Sequence, residues 1–145
     1  MQNRFVTTAG LAVLIGSIAG CSSSTPAAPA RPPGALPVGT AQVTVDAATI
    51  GSVNCTQSES LVTITAGDNA SGMTAVVDLG SKPTVKSVSI RNLGGFTGSY
   101  WQDLRSPARV STGTKTYEIT GSADGFDIDA PSFRKTETFA IKVAC

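Results

Sequence analysis

The chain contains no histidine. That absence removes the commonest general base, the usual activator of a serine or cysteine nucleophile, and the commonest metal ligand. Charge is scarce as well: charged residues make up 14% of the sequence, with 11 Lys+Arg against 10 Asp+Glu. Arg4 lies in a segment marked for removal, so the mature chain is close to neutral. A neutral chain has little long-range attraction for phosphate backbones, and nucleic acid is not expected as a partner. No cofactor and no resident metal is expected, and an enzyme is not. Aromatic residues are 6% of the total and cysteines number three. The 145 residues suffice for one ordinary domain but not two.

What is present begins with an address. Residues 1–20 read as a signal peptide, with Arg4 as the positive end and an apolar run from Phe5 to Ile18 centred on Leu11-Ala12-Val13-Leu14-Ile15. The run is shorter than the ~20 residues a spanning helix needs. It ends in Ile18-Ala19-Gly20-Cys21. Ile18, Ala19 and Gly20 form the expected signal-peptidase recognition site, where small residues before the cut let the backbone lie in a peptidase groove, and a cysteine directly after the cut offers a thiol for diacylglycerol transfer. This arrangement resembles the bacterial lipobox, which makes Cys21 the expected lipidation site. Two or three acyl chains hold a protein to a bilayer durably where one does not. The membrane is thus an expected partner through the N-terminal acyl groups. The expected location is the cell envelope, on the outer side of the cell membrane, either displayed at the surface or kept in the periplasm.

Residues 21–39 form the expected linker. Ser22 to Val38 holds five prolines among alanine and serine, too little apolar surface to order itself. Such chain favours extended polyproline geometry at ~3.1 Å per residue, a disordered stalk that holds its cargo off the membrane.

From residue 40 the texture changes to short β-branched runs broken by glycine, asparagine and aspartate. Candidate strands are Ala41–Val45, Ser52–Thr56, Leu61–Ala66, Met73–Leu79, Val85–Arg91, Gly98–Trp101, Ala108–Ser111, Thr116–Thr120 and Thr136–Ala144. Strands of this length at such spacing predict an all-β domain over 40–145, a small antiparallel β-sandwich. Phe139, Ile141 and Val143 alternate with polar residues, as do Val62 and Ile64 and the set Met73, Ala75, Val77, so these positions are the candidate core. Cys145 is in phase with Val143 and Cys55 with Val53, so both thiols are expected to point inward. Outside the cytoplasm such a pair forms a disulfide; the redox alternative lacks the close C-x-x-C spacing. The bridge would close a ~90-residue loop, worth ~4.6 kcal/mol in the chain-entropy model.

Three further constellations contain residues able to do chemistry. Ser132-Phe133-Arg134-Lys135 matches S-x-x-K, but beside Pro131, next to a strand and without its companion motifs it reads as chance. Asp124, Asp127 and Asp129 offer oxygens to a cation, yet the spacing is not an EF-hand loop and an acidic turn is the expectation. Phe96, Tyr100 and Trp101 are candidate ligand or glycan contacts, against the simpler reading of two core rings and one exposed one.

Four segments, taken in order behind the lipobox, carry a family resemblance. They are Gly51-Ser52-Val53-Asn54-Cys55, Pro83-Thr84-Val85-Lys86-Ser87-Val88, the run from Tyr117 to Asp127, and Phe139-Ala140-Ile141-Lys142-Val143-Ala144-Cys145. Over about Gly51 to Cys145 the chain resembles the mycobacterial 19-kDa lipoprotein antigens, the LpqH-type lipoproteins. The resemblance implies a non-catalytic envelope lipoprotein met by host innate receptors chiefly through its acyl group, with lipidation at Cys21 and a Cys55–Cys145 disulfide. The family's threonine-rich mannosylated stalks have no counterpart here, where only Thr25 is available. The rival expectation is a periplasmic carrier that holds a lipid or glycolipid in an apolar cavity of the β domain.

Overall fold

A computed structural model describes residues 33–45 and 48–145. The export signal, Ile18, Ala19, Gly20, Cys21 and most of the linker lie outside the described residues. The compact unit runs from Pro33 to Cys145. Its strands are β1 (Thr40–Thr44), β2 (Ala48–Gly51), β3 (Val53–Ser58), β4 (Leu61–Gly67), β5 (Gly72–Asp78), β6 (Thr84–Leu93), β7 (Phe96–Trp101), β8 (Arg109–Thr112), β9 (Thr116–Asp127) and β10 (Lys135–Ala144). They form one sheet in the order β2-β1-β10-β9-β7-β6-β5-β4-β3, with β8 attached to β9. Every pairing is antiparallel. The expected all-β antiparallel domain with one disulfide is therefore what is found, built as one continuous sheet.

That sheet curls until it is nearly closed. β2 and β3 stand at its two margins although Ser52 alone separates them, and Ser52 takes a positive φ of 67° to turn the corner. The Val53 N–H donates to the Gly39 carbonyl at 3.2 Å, and the Gly67 N–H to that of Ser52 at 3.2 Å. Cys55 on β3 is bonded to Cys145, just past β10, with Cα atoms 5.9 Å apart. The seam is thus tied by backbone hydrogen bonds and by a covalent link.

Inside, the alternation read from the sequence holds. Val62, Ile64 and Ala66 of β4, Met73, Ala75 and Val77 of β5, and Phe139, Ile141 and Val143 of β10 are all buried in one cluster. Each fully buried aliphatic side chain contributes roughly 1.5–3 kcal/mol. Tyr100 and Phe139 meet edge to face with ring centres 6.4 Å apart. The Tyr100 hydroxyl accepts a hydrogen bond from the Ala108 N–H at 3.0 Å, which fixes the chain where it leaves β7 and re-enters as β8.

Two elements differ from expectation. β2 was not anticipated: Ala-Thr-Ile-Gly is short and ends in glycine, a marginal strand that forms because β1 offers it a partner. β9 continues past Thr120 to Asp127, so Asp124 and Asp127 lie on a strand and not in an acidic turn. Glycine usually weakens a strand interior. Here Gly121 faces Phe139, whose ring occupies the space a side chain would take; a Cβ there would lie 2.8 Å from Phe139 Cζ and 2.9 Å from Ala108 Cβ. Gly125 pairs with Gly98, and a Cβ on it would run into the Thr97 carbonyl. Both glycines are conditions of close packing.

Removing the bridge as Cys55→Ala/Cys145→Ala should cost ~4 kcal/mol and lower the thermal midpoint by on the order of 20 °C, read by circular dichroism with and without reductant. A shift of only a few degrees would mean that the seam holds without it. Gly121→Ala should cost ~1–3 kcal/mol through overpacking. In a Phe139→Leu background the same change should cost less than half as much, a coupling that chemical denaturation of the four variants would measure.

Candidate functional site

The three aromatic candidates do not form a shared platform. On β7, Phe96 and Tyr100 point inward and are 2% and 1% exposed, whereas Trp101 is 56% exposed. Alternation separates them: residues 96, 98 and 100 face the core, and 97, 99 and 101 face out. Phe96 and Tyr100 are core rings, and only Trp101 remains available to a partner.

The outer face around Trp101 has an order that only the strand registers reveal. Thr74 of β5 is opposite Ser89 of β6, Ser89 opposite Ser99 of β7, Ser99 opposite Asp124 of β9, and Asp124 opposite Thr136 of β10. These five residues form a transverse row of hydroxyls with one carboxylate in it. The next outward place on β7 is Trp101, beside Ser87. On the other side, Thr97 is opposite half-buried Phe126.

Asp124 is the electrostatic centre of the row. The Thr136 hydroxyl donates to it at 2.6 Å, and Arg105 pairs with its other oxygen. These contacts, the Thr136 hydrogen bond foremost and then Arg105, hold its carboxyl below the usual range. Arg91, Arg105 and Arg134 border the grooves on either side of Asp124. Arg91 gives one N–H to the Asp68 carbonyl at 3.2 Å.

The S-x-x-K lysine is engaged elsewhere. Lys135 binds both oxygens of Asp127, at 2.7 and 2.9 Å, and Glu137 at 2.9 Å. The bond to Asp127, and next that to Glu137, raise its pKa. A lysine held cationic is the reverse of a general base, and Ser132 sits exposed in the preceding turn. Asp124, Asp127 and Asp129 do not converge on a cation: Asp124 serves Arg105, Asp127 serves Lys135, and Asp129 lies in the following turn.

A carrier would need an apolar chamber. The inward side chains of Ala41, Val43, Ile64, Ala75, Val88, Ile119 and Ile141 have no water-accessible surface at all, so no chamber borders them. At one mouth of the roll, Asp127, Lys135 and Glu137 lie with Phe96 and Val45 and set charge where an acyl chain would enter.

The family model for the Mycobacterium 19 kDa lipoprotein antigen matches residues 34–145, which hold every described strand. The chain belongs to the 19 kDa lipoprotein antigen family. A Mycobacterium avium subsp. hominissuis chain described as a lipoprotein is 35% identical over 148 residues, spanning 100% of this chain and 97% of that one. Lipoprotein LpqH of Mycobacterium tuberculosis is 33% identical over 158 residues, spanning 97% of this chain and 96% of its own length. Membership of this lipoprotein antigen family implies association with the membrane and cell envelope.

Among the described residues, three aspartates carry depressed pKa values. The Ser71 and Ala70 N–H groups at 2.8 Å act on Asp68, the Gly80 N–H at 3.0 Å acts first on Asp78, and Thr136 acts first on Asp124. A carboxylate whose folded pKa is below its unfolded one adds stability above the unfolded value and loses it as pH falls through the folded value. The thermal midpoint should therefore be flat above about pH 5 and drop below about pH 4. Asp124→Asn should shrink that acid-side drop; an unchanged drop would remove Asp124 from the account.

Proposed function

We propose that this protein is a non-catalytic, membrane-anchored envelope lipoprotein that acts by surface presentation and host interaction. In this reading the thiol of Cys21 carries diacylglycerol, the residues from 21 to about 39 tether, and the β unit is the cargo. Innate recognition acts on the acylated amino end, and the folded unit gives the protein its antigenic surface. The observation that carries the reading is the lipobox Ile18-Ala19-Gly20-Cys21, set a short tether ahead of a self-contained, disulfide-closed domain. Its support from the comparisons is the family, whose members are described as lipoproteins.

The absence of histidine and the capture of Lys135 by two carboxylates support the non-catalytic part of the proposal. The filled interior favours display over carriage, since a carrier's affinity for lipid depends on apolar space to receive it.

Cys21→Ser should block maturation, leave residues 1–20 attached, and lower the acyl-dependent partition into detergent or membrane by at least on the order of tenfold. Globomycin should likewise make the unprocessed wild-type precursor accumulate. Intact-mass measurement of the native product decides the matter: a bare thiol at residue 21 would overturn the proposal. Stimulation of innate receptors should follow the acylated protein and be lost from Cys21→Ser at equal concentration.

A further inference from the structure

We propose that the outer face of β6, β7 and β9 binds an extended anionic glycan, stacked on Trp101 and held by Arg91 and Arg134 along the hydroxyl row. Binding there is independent of how the chain is anchored, so the two proposals stand or fall separately.

In the middle of a sheet the backbone N–H and C=O groups are consumed by the ladders, so a ligand can be held only through side chains. Thr74, Ser89 and Ser99 supply hydroxyls that both donate and accept, and Thr136, whose proton goes to Asp124, supplies a further acceptor, a pattern that matches a ligand made of hydroxyls. With neighbouring strands ~4.8 Å apart, the row runs for roughly 19 Å, long enough for a chain and not only a single ring. The backbones of Gly98 and Gly125 line it between β7 and β9.

The two grooves that share Asp124 and Arg134 are bordered by four cationic side chains, Arg91, Arg105, Arg134 and Lys135, against the single carboxylate of Asp124. Asp124 is already met by Arg105 and Thr136, and Lys135 by Asp127 and Glu137. Arg91 and Arg134 line the same groove, Arg91 giving one N–H to the Asp68 carbonyl and Arg134 lying within electrostatic reach of Asp124, in a chain that is otherwise near neutral. A guanidinium fork fits a carboxylate or phosphate oxygen pair. One groove measures about 330 Å³, within the range of small-ligand sites.

Trp101 is the only tryptophan in the sequence, and it is 56% exposed two places from Ser99 on the same face. An exposed indole beside hydroxyls suits the C–H face of a sugar. An acidic peptide would use Arg91 and Arg134 but would have no need of the hydroxyl row.

Because Trp101 is unique, its fluorescence reports directly on the face. The acylated full chain in detergent is titrated with polygalacturonate, with its fully methyl-esterified form, and with poly-L-glutamate. Polygalacturonate should saturate a blue shift of Trp101 emission, and the esterified polymer should bind at least about tenfold more weakly. Arg91→Gln/Arg134→Gln should lose about tenfold or more while its thermal midpoint stays that of the parent, and binding should weaken as salt rises. Trp101→Leu, followed by calorimetry, should bind several-fold more weakly. Equal binding of the esterified polymer would overturn the anionic part, and equal binding of poly-L-glutamate the glycan part. The whole proposal fails if neither fluorescence nor calorimetry registers polygalacturonate, or if the double arginine variant binds as the parent does.

Discussion

Strands β2 and β3 are joined by Ser52 alone, yet they stand at opposite margins of the nine-strand path that forms the sheet. Laid flat, strands ~4.8 Å apart would hold those margins roughly 40 Å from each other, while one residue reaches at most ~3.6 Å. The sheet therefore has to roll. Right-handed twist supplies the curvature, and the register shifts near Val76 and beyond Ile90 let β6 bend along it. The bridge from Cys55 to Cys145 then holds the seam where Gly39, Ser52 and Val53 meet. The margin strand β3 also turns polar side chains, Asn54, Thr56 and Ser58, to solvent, which limits the edge as a template for other chains.

Rolling turns a simple alternation into inside and outside. A roll of this size has an interior wide enough for side chains and little more. Tyr100, Phe96 and the isoleucines at 64, 90, 119 and 141 take that space. The functional consequence is exclusion: the interior is committed to stability, and both sheet faces have spent their backbone groups. Any recognition by the folded unit must be written in outward side chains. Among the described residues, one such set lies around Asp124, where the β7–β8 connection brings Arg105 to β9.

How much of this was legible in sequence varied with the range of the physics. Period-two burial is local, so the core positions on β4, β5 and β10 could be read directly, as could the inward thiols. β2 was not legible: four residues carry too little pattern, and its pairing with β1 is decided by tertiary contact. The length of β9 was hidden because Gly121 and Gly125 argue locally for a break. Their tolerance depends on Phe139 and on Thr97, which are 18 and 28 positions away in the chain. The hydroxyl row was out of reach for a different reason. Its members come from five strands, and alternation tells which face a residue takes but not what stands opposite it. Trp101 marks the boundary between the two cases. Sequence could say that residues 100 and 101 point opposite ways, and the fold was needed to say which one faces solvent.

The seam and the lipobox rest on unrelated chemistry, and they make the same demand. Acyl transfer to Cys21 requires that the chain engage the export machinery, and a disulfide between Cys55 and Cys145 persists only where thiols are not kept reduced. Before export, the two margins would be held by a few backbone hydrogen bonds, and the loss of ~4.6 kcal/mol is a large part of the ~5–15 kcal/mol that such a domain possesses. Under the proposed anchoring, export and closure would be coupled without any dedicated switch. A chain still in the cytoplasm would lack the staple across its seam and would be easier to hold unfolded for translocation. Outside, oxidation would lock the roll and acylation at Cys21 would fix its location. On that proposal, the arrangement of the three cysteines is what would make a closed and tethered module.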